Sequence, residues 1–236
     1  MKTVAIIPAR SDSKRLPTKH LREILGHSML YYLVERLQKS SFIDMVVVAT
    51  TDRACDDDLA KEASKLGAGT YRGDLNDVLK RFTEAAKKFN ADIVIKANGD
   101  NPIQAPEVIK NGINFLVKNQ LSCVTAKNAY TGLPIGLGSE VLTMEALLKL
   151  DQEAPQRFRE DNTVYIFKNP GFMNWAPIPV KPEWVSKDLS VTVDTPEDFI
   201  FMSKIINALK DSKPEKWKIE QIISIALSIY NNKKEC

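Results

Sequence analysis

Apolar positions recur along this chain in two alternating rhythms. Short runs rich in β-branched residues, at 2–8, 44–50, 91–97 and 121–126, read as buried strands. Between them, apolar residues fall at helical spacing: Met29, Leu30, Leu33, Val34 and Leu37 mark an amphipathic helix over 28–40. Helices over 56–66, 77–89 and 106–118 follow, the first of them stopped by Gly67 and Gly69, with a short strand at 70–72. Strand, helix, strand in repetition predicts an α/β fold: a mostly parallel sheet with helices on both faces and right-handed crossovers.

Beyond residue 127 the pattern loosens. Gly132, Pro134, Gly136 and Gly138 predict a tightly turning loop over 128–139, then a strand at 139–142 and a helix at 143–151. Two more strands are expected at 162–168 and 173–178, with Trp175 and Trp184 in a small β-containing lobe over the sheet. Residues 189–194 should return to the core as a strand, before helices at 196–210 and 217–231 and a frayed tail at 231–236. No linker or repeat divides the chain, so residues 1–236 read as one domain, with 128–184 a lobe inside it.

Composition narrows the options only slightly. The 44% hydrophobic and 27% charged residues are ordinary for a globular protein, and 33 Lys plus Arg against 30 Asp plus Glu give no general argument for nucleic acid or a membrane. Any electropositive site must be local. No apolar run reaches the ~18 residues of a membrane span, and the run before Pro8 and Arg10 is too short for a signal peptide. Cys55, Cys123 and Cys236 match no zinc or redox spacing and read as free thiols of a reducing, cytoplasmic compartment. P-loop, dinucleotide-binding and His-Glu-x-x-His motifs are absent.

Three stretches carry candidate chemistry. After the first strand, Arg10, Lys14, Arg15 and Lys19 crowd into ten residues with Ser11, Ser13 and Thr18, opposed only by Asp12. A solvated loop would explain them, but the place beyond the carboxyl end of a first α/β strand favours a phosphate site. The second stretch is Ala97-Asn98-Gly99-Asp100-Asn101-Pro102, which holds Asp100 just past another strand, either as a plain Asx turn or as a metal carboxylate. In the third, Val193-Asp194-Thr195-Pro196-Glu197-Asp198, Thr195 caps a helix with Pro196 at its first position, and Glu197 and Asp198 suit the helix dipole. Asp194 has no such structural duty. Asp100 and Asp194 facing a basic loop suit a Mg²⁺-nucleotide complex.

These motifs resemble a known family. Ile6-Ile7-Pro8-Ala9-Arg10, Ser13-Lys14-Arg15-Leu16-Pro17 and Lys19 are similar to the signature of the cytidylyltransferases that activate acidic sugars, the CMP-Kdo and CMP-acylneuraminate synthetases and their spore-coat SpsF-like relatives. Gly99-Asp100-Asn101-Pro102 and Val193-Asp194-Thr195-Pro196-Glu197-Asp198 resemble the later motifs. Tyr71-Arg72-Gly73 with Asp77-Val78-Leu79, and Gly136-Leu137 with Ser139-Glu140-Val141, look most like the SpsF branch.

The resemblance implies a GT-A-like, Rossmann-like nucleotidyltransferase that moves CMP from CTP to an acidic sugar or a phosphorylated or phosphonate acceptor, releasing pyrophosphate in surface glycan synthesis. It implies Mg²⁺ on Asp100 and Asp194, and catalytic roles for Arg10, Lys19, Asp100 and Asp194. The nucleotide would be held by Pro8, Ala9, Arg10, Ser13, Lys14, Arg15, Lys19 and Asn98, with Arg72 and Asp77 either nucleotide contacts or an ion pair and cap. Glu140, otherwise a solvent-facing strand residue, and Asp161 would meet the acceptor, and the 128–184 lobe would bind acceptor and could carry a homodimer contact. The chain departs from the family at Asp12, where a small residue is usual, at Thr18, often Gly, and at Asp161, where the SpsF-like pattern has His. Two other readings share the fold: a glycosyltransferase using a ready-made nucleotide sugar, and a non-catalytic nucleotide-binding subunit. Asp56-Asp57-Asp58 is the only acidic cluster that could serve the former, and a helix N-terminal cap explains it as well.

Overall fold

The computed structural model describes residues 1–161 and 163–232. Strand β1 (Thr3–Pro8) leads into a two-stranded ribbon, β2 (Glu23–Ile24) and β3 (His27–Ser28), and then α1 (Met29–Gln38). There follow β4 (Met45–Thr51), α2 (Asp57–Lys65), β5 (Gly69–Gly73), α3 (Val78–Lys88), β6 (Ile93–Lys96), α4 (Pro106–Lys118) and β7 (Cys123–Thr125). The remaining elements are α5 (Asn128–Thr131), β8 (Glu140–Thr143), α6 (Met144–Glu153), α7 (Val164–Lys168), β9 (Trp175–Pro177), α8 (Pro196–Ala208) and α9 (Ile219–Asn232).

Seven strands form one sheet in the order β5-β4-β1-β6-β8-β7-β9, and β8 alone runs against its neighbours. Both faces of the sheet are covered, which is why β1 reads as an unbroken apolar run rather than an alternation. Ala5 and Ile7 enter one hydrophobic cluster with α1, α4, α8 and α9, while Val4 and Ile6 enter the other with α3 and α6. The stretch 128–184 contributes to both, through Leu133, Leu137 and Trp184 on one side and Leu142, Leu147 and Ile166 on the other. No helix among the described residues is long and apolar enough to cross a membrane. Cys55 and Cys123 are free thiols, and Cys236, with the rest of 233–236, lies outside the described residues.

Side-chain caps open four of the helices: Ser28, Asp77, Thr143 and Thr195 each accept the backbone N–H three residues on. Thr195 and Asp198 complete a capping box, with Pro196 at the first helical position.

Two expectations need correction, and one element was not anticipated. Val164–Lys168, expected as a strand whose first residue, Asn162, lies outside the described residues, is the short helix α7. Residues 189–194 are extended but form no strand: Val191 N–H donates to Ile135 O (2.8 Å) and Val193 N–H to Asp100 O (2.8 Å), both loop carbonyls. Gly136, at φ 100°, permits that approach, since a Cβ there would stand 2.8 Å from the Thr192 nitrogen. The ribbon β2–β3 went unexpected because its turn, Leu25 (φ 51°) and Gly26 (φ 76°), lacks the Asn-Gly or Asp-Gly pair usual for two successive positive φ angles.

Candidate active site

The basic loop leaves β1 and is pinned at its root. Ala9 N–H donates to Ala49 O (3.2 Å), prolonging the sheet ladder, and Ser11 N–H donates to Asp56 Oδ1 (2.7 Å). Asp56 is wholly buried and also takes the Thr51 hydroxyl and Arg53 Nη2 (3.3 Å). Burial alone would raise its pKa, but the bonds from Thr51 and Ser11 outweigh it and hold the carboxyl below its ordinary value. The loop closes where Thr18 N–H donates to Ser11 O (2.8 Å), with Thr18 in the left-handed region at φ 51°. A glycine is the residue suited to that conformation, so this departure from the family pattern carries local strain. Asp12, the other departure, pairs with Arg53 Nη1 (2.7 Å) and Arg10 Nε (3.3 Å), and the bond from Arg53 lowers its pKa.

Opposite the loop stand the two carboxylates. Asp100 follows β6, the middle strand, in a turn stabilised by Asn101 N–H donating to Asn98 O (3.0 Å). His20 Nδ1 lies 3.0 Å from Gly99 O, so this nitrogen carries the ring proton; a Cβ on Gly99 would approach the ring to 2.8 Å. Burial, and then the Lys19 charge, push His20 down to about 4, leaving it neutral at physiological pH. Asp194 is held from behind, its N–H donating to Asp198 Oδ2 (3.0 Å). Thus the capping box of α8 also fixes the site carboxylate.

Lys19 joins the two. Its ammonium donates to Val193 O (2.9 Å) and Asp194 Oδ1 (3.0 Å) and lies 3.5 Å from Asp100 Oδ2. Arg15 Nη2 adds a contact of 3.1 Å to the same Asp194 oxygen. Asp100 Oδ1 and Asp194 Oδ2 have no protein partner among the described residues. No group of three or more His, Cys, Asp or Glu side chains among the described residues is arranged to hold a metal. Two carboxylate oxygens do suffice for Mg²⁺ when phosphate and water complete its shell.

Two cavities meet here. One, of about 410 Å³, is lined by Pro8, Ala9, Arg10, Ser13, Lys14, Arg15, Lys19, Asn98, Asp100 and Asp194, all expected, and by His20, Val78, Arg81, Gly99 and Glu160, which were not. Arg81 went unnoticed because it is 3% exposed among the apolar positions of α3, its Nε donating to Ala49 O (3.3 Å). Arg72 and Asp77 line neither cavity. Arg72 pairs with Asp57 (2.7 Å) and donates to the carbonyls of Thr51 and Arg53, while Asp77 caps α3 and pairs with Arg159 Nε (2.8 Å). These are the ion-pair and capping roles.

The second cavity, of about 470 Å³, shares Pro8, Val78, Asn98, Asp100 and Glu160 with the first and extends over Lys96, Lys127, Ser139, Glu140 and Asp161. Glu140, expected to face solvent, is only 4% exposed, because β8 is an inner strand of the sheet. Lys96 Nζ donates to Asp161 Oδ1 (3.1 Å) and Thr163 Oγ1 (3.2 Å) and lies 3.9 Å from Glu140 Oε2. Burial works against its charge, yet Glu140 and Asp161 prevail and raise the Lys96 pKa. Asp161 thus neutralises a buried lysine at the position where the SpsF-like pattern carries His.

Comparison with known proteins agrees with this architecture. A family model described as Cytidylyltransferase matches residues 4–235. An uncharacterized protein of Methanocaldococcus jannaschii is 36% identical over 201 residues, 84% of this chain and 81% of its own. The spore coat polysaccharide biosynthesis protein SpsF of Bacillus subtilis is 28% identical over 200 residues, 82% of each. Among solved structures, a cytidylyltransferase from Leptospira borgpetersenii superposes with TM-score 0.89 at 29% identity, over 99% of this chain and 96% of that one. A CMP-2-keto-3-deoxy-manno-octonic acid synthetase solved with CTP shares the fold, at TM-score 0.64 and 19% identity over 89% of this chain and all of its own. With the family model covering almost every residue, this chain belongs to the cytidylyltransferase family, whose members are nucleotidyltransferases.

Proposed function

We propose that this chain transfers CMP from CTP to an oxygen of a small anionic acceptor, an acidic sugar or a phosphorylated or phosphonate compound, with release of pyrophosphate in surface glycan synthesis. The observation that carries the reading is the Lys19 ammonium set between Asp100 and Asp194, in a cavity walled on its other side by Arg10, Lys14 and Arg15. The name of the SpsF relative supports the glycan setting.

In this reading Arg10, Ser13, Lys14 and Arg15 hold the triphosphate, and Pro8 and Ala9 lie along the base. Asp100 Oδ1 and Asp194 Oδ2 are the oxygens left for Mg²⁺, which when bound supplies charge neutralisation at the α-phosphate. The acceptor oxygen attacks the α-phosphorus in line from the second cavity. A new P–O bond forms as the bond from the α-phosphorus to the bridging oxygen breaks, and the electron pair leaves on pyrophosphate; a hydroxyl nucleophile gives its proton to water. Arg15 and Lys19 neutralise the charge that grows on the leaving group. The glycosyltransferase reading loses ground, because Asp56 of the acidic cluster is buried beneath the basic loop.

The test is a panel of the four nucleoside triphosphates with Mg²⁺ against sugar acids, polyol phosphates, sugar phosphates and phosphonates, read by pyrophosphate release. CTP should support release. Preference for another triphosphate, or hydrolysis of a nucleotide sugar without pyrophosphate, would overturn the reading.

A further inference from the structure

Asp100 is held through the peptide unit on each side of it. Its own carbonyl accepts the Val193 N–H (2.8 Å), and the carbonyl of Gly99, whose peptide unit contains the Asp100 nitrogen, accepts the His20 Nδ1–H (3.0 Å). We propose that His20 is a positioning residue: its ring N–H latches the Gly99–Asp100 peptide and so ties the placement of the Asp100 carboxylate to the basic loop. The proposal rests on the reading of Asp100 and Asp194 as the Mg²⁺ carboxylates.

A peptide unit that follows glycine is the easiest to rotate, because no Cβ restricts the glycine. Turning the Gly99–Asp100 unit would change φ at Asp100 and swing its side chain. The carbonyls around it are engaged elsewhere: Asn98 O takes the Asn101 N–H (3.0 Å), and Asp100 O takes Val193. Among the described residues, His20 alone reaches Gly99 O. A neutral imidazole has a single N–H, so this bond also fixes the tautomer. The His20 residue is 5% exposed, and a Cβ on Gly99 would stand 2.8 Å from its Cε1 and 3.3 Å from Ile7 Cγ2. Glycine at this position makes room for the ring, and the ring restrains the glycine.

Place in the chain gives the latch its function. His20 belongs to the short turn Lys19–Leu21, and the Lys19 ammonium of that turn lies 3.0 Å from Asp194 Oδ1 and 3.5 Å from Asp100 Oδ2. Val193, which holds the other side of Asp100, immediately precedes Asp194. The basic loop, the Asp100 turn and Asp194 are therefore joined through backbone as well as through charge. Lys19 grips a single Asp100 oxygen at the longer of its two carboxylate distances, which leaves the backbone of Asp100 free to turn; the His20 bond removes that freedom. Without it, CTP would still meet Arg10, Lys14 and Arg15, but Mg²⁺ would meet a carboxylate that must first be ordered.

His20→Phe keeps the ring volume and removes the donor, whereas His20→Asn keeps an N–H donor at the place of Nδ1. CTP is titrated by calorimetry, with and without Mg²⁺, into the natural chain and both variants. His20→Phe should bind CTP with Mg²⁺ about tenfold more weakly, the scale of one hydrogen bond, and CTP alone within about twofold of the natural chain; His20→Asn should recover most of the loss. A second measurement needs no change at His20. Long-range proton–nitrogen NMR spectra of the two histidines, assigned with His27→Gln, should show His20 protonated on Nδ1. Equal weakening with and without Mg²⁺, undiminished binding by His20→Phe, an Asn variant as weak as the Phe variant, or a proton on Nε2 would each overturn the proposal. The spectrum decides even if His20→Phe fails to fold. If Mg²⁺ leaves CTP binding to the natural chain unchanged, the metal reading itself falls and the role of His20 falls with it, whereas a Mg²⁺ effect that His20→Phe retains in full removes His20 alone.

Discussion

The Lys19 ammonium lies 3.0 Å from Asp194 Oδ1, joining the basic loop to a carboxylate 175 positions further along the chain. The same ammonium reaches Asp100, so one cation organises both acidic residues before any ligand arrives. Lys19→Met should leave those carboxylates mutually repelling and remove a charge from the leaving-group side, lowering turnover by about 10²- to 10³-fold. Steady-state pyrophosphate release checks this, and a loss of less than about threefold would remove Lys19 from the chemistry.

Asp56 fastens the loop through Ser11, Thr51 and Arg53, and Asp56→Asn should cost about 2 kcal/mol in urea unfolding and weaken CTP binding. The sign of its pH dependence follows from a folded pKa held below the ordinary 3.8. Its stabilisation is complete above that value and is lost as pH falls through the lower folded one. The gap in stability between the natural chain and Asp56→Asn should therefore stay constant at neutral pH and narrow only in acid, as the unfolded carboxyl takes up its proton around 3.8. Narrowing at neutral pH would contradict the assignment.

What the sequence made legible, and what it did not, has a physical basis at particular residues. The loop after β1, the turn at Asp100 and the cap at Thr195 are local features, written in neighbouring residues, and each lies where its motif predicts. Asp56 hid inside an acidic triplet that looks like ordinary dipole compensation, because its partner Ser11 is 45 positions away. Glu140 was misjudged because an isolated polar residue in a strand suggests an exposed face, and only the pairing of β8 between β6 and β7 buries it. The run Val164-Tyr165-Ile166-Phe167 has the composition of a strand but packs as one helical turn, with Tyr165 against Phe158 and Phe172 and Phe167 against Trp175. Residues 189–194 have strand composition too, yet their backbone bonds go to loops.

Asp12 engages Arg10 and Arg53 near the surface, in pairs of the kind worth under about 1 kcal/mol. Asp12→Gly should thus change stability little, while freeing Arg10 and removing a negative charge from the phosphate loop. CTP affinity should rise a few-fold at low ionic strength, and the gain should shrink with added salt. Lost activity would instead make Asp12 part of the site.

Thr18 holds a left-handed backbone at φ 51°. Thr18→Gly removes a strain of about 1–2 kcal/mol but adds unfolded-state entropy of about half that, so a net gain of up to about 1 kcal/mol is expected in thermal unfolding. A fall in melting temperature would show that Thr18 Oγ1, 2.8 Å from Pro17 O, matters more than the strain.

The most direct test of a Mg²⁺-nucleotide complex between Asp100 and Asp194 is calorimetric titration of CTP with and without Mg²⁺, on the natural chain and on Asp100→Asn and Asp194→Asn. CTP should bind in preference to ATP, GTP and UTP, Mg²⁺ should tighten its binding, and each variant should lose that Mg²⁺ effect. If CTP binds with the same affinity whether or not Mg²⁺ is present, or if both variants keep the Mg²⁺ effect in full, the two carboxylates do not hold the ion.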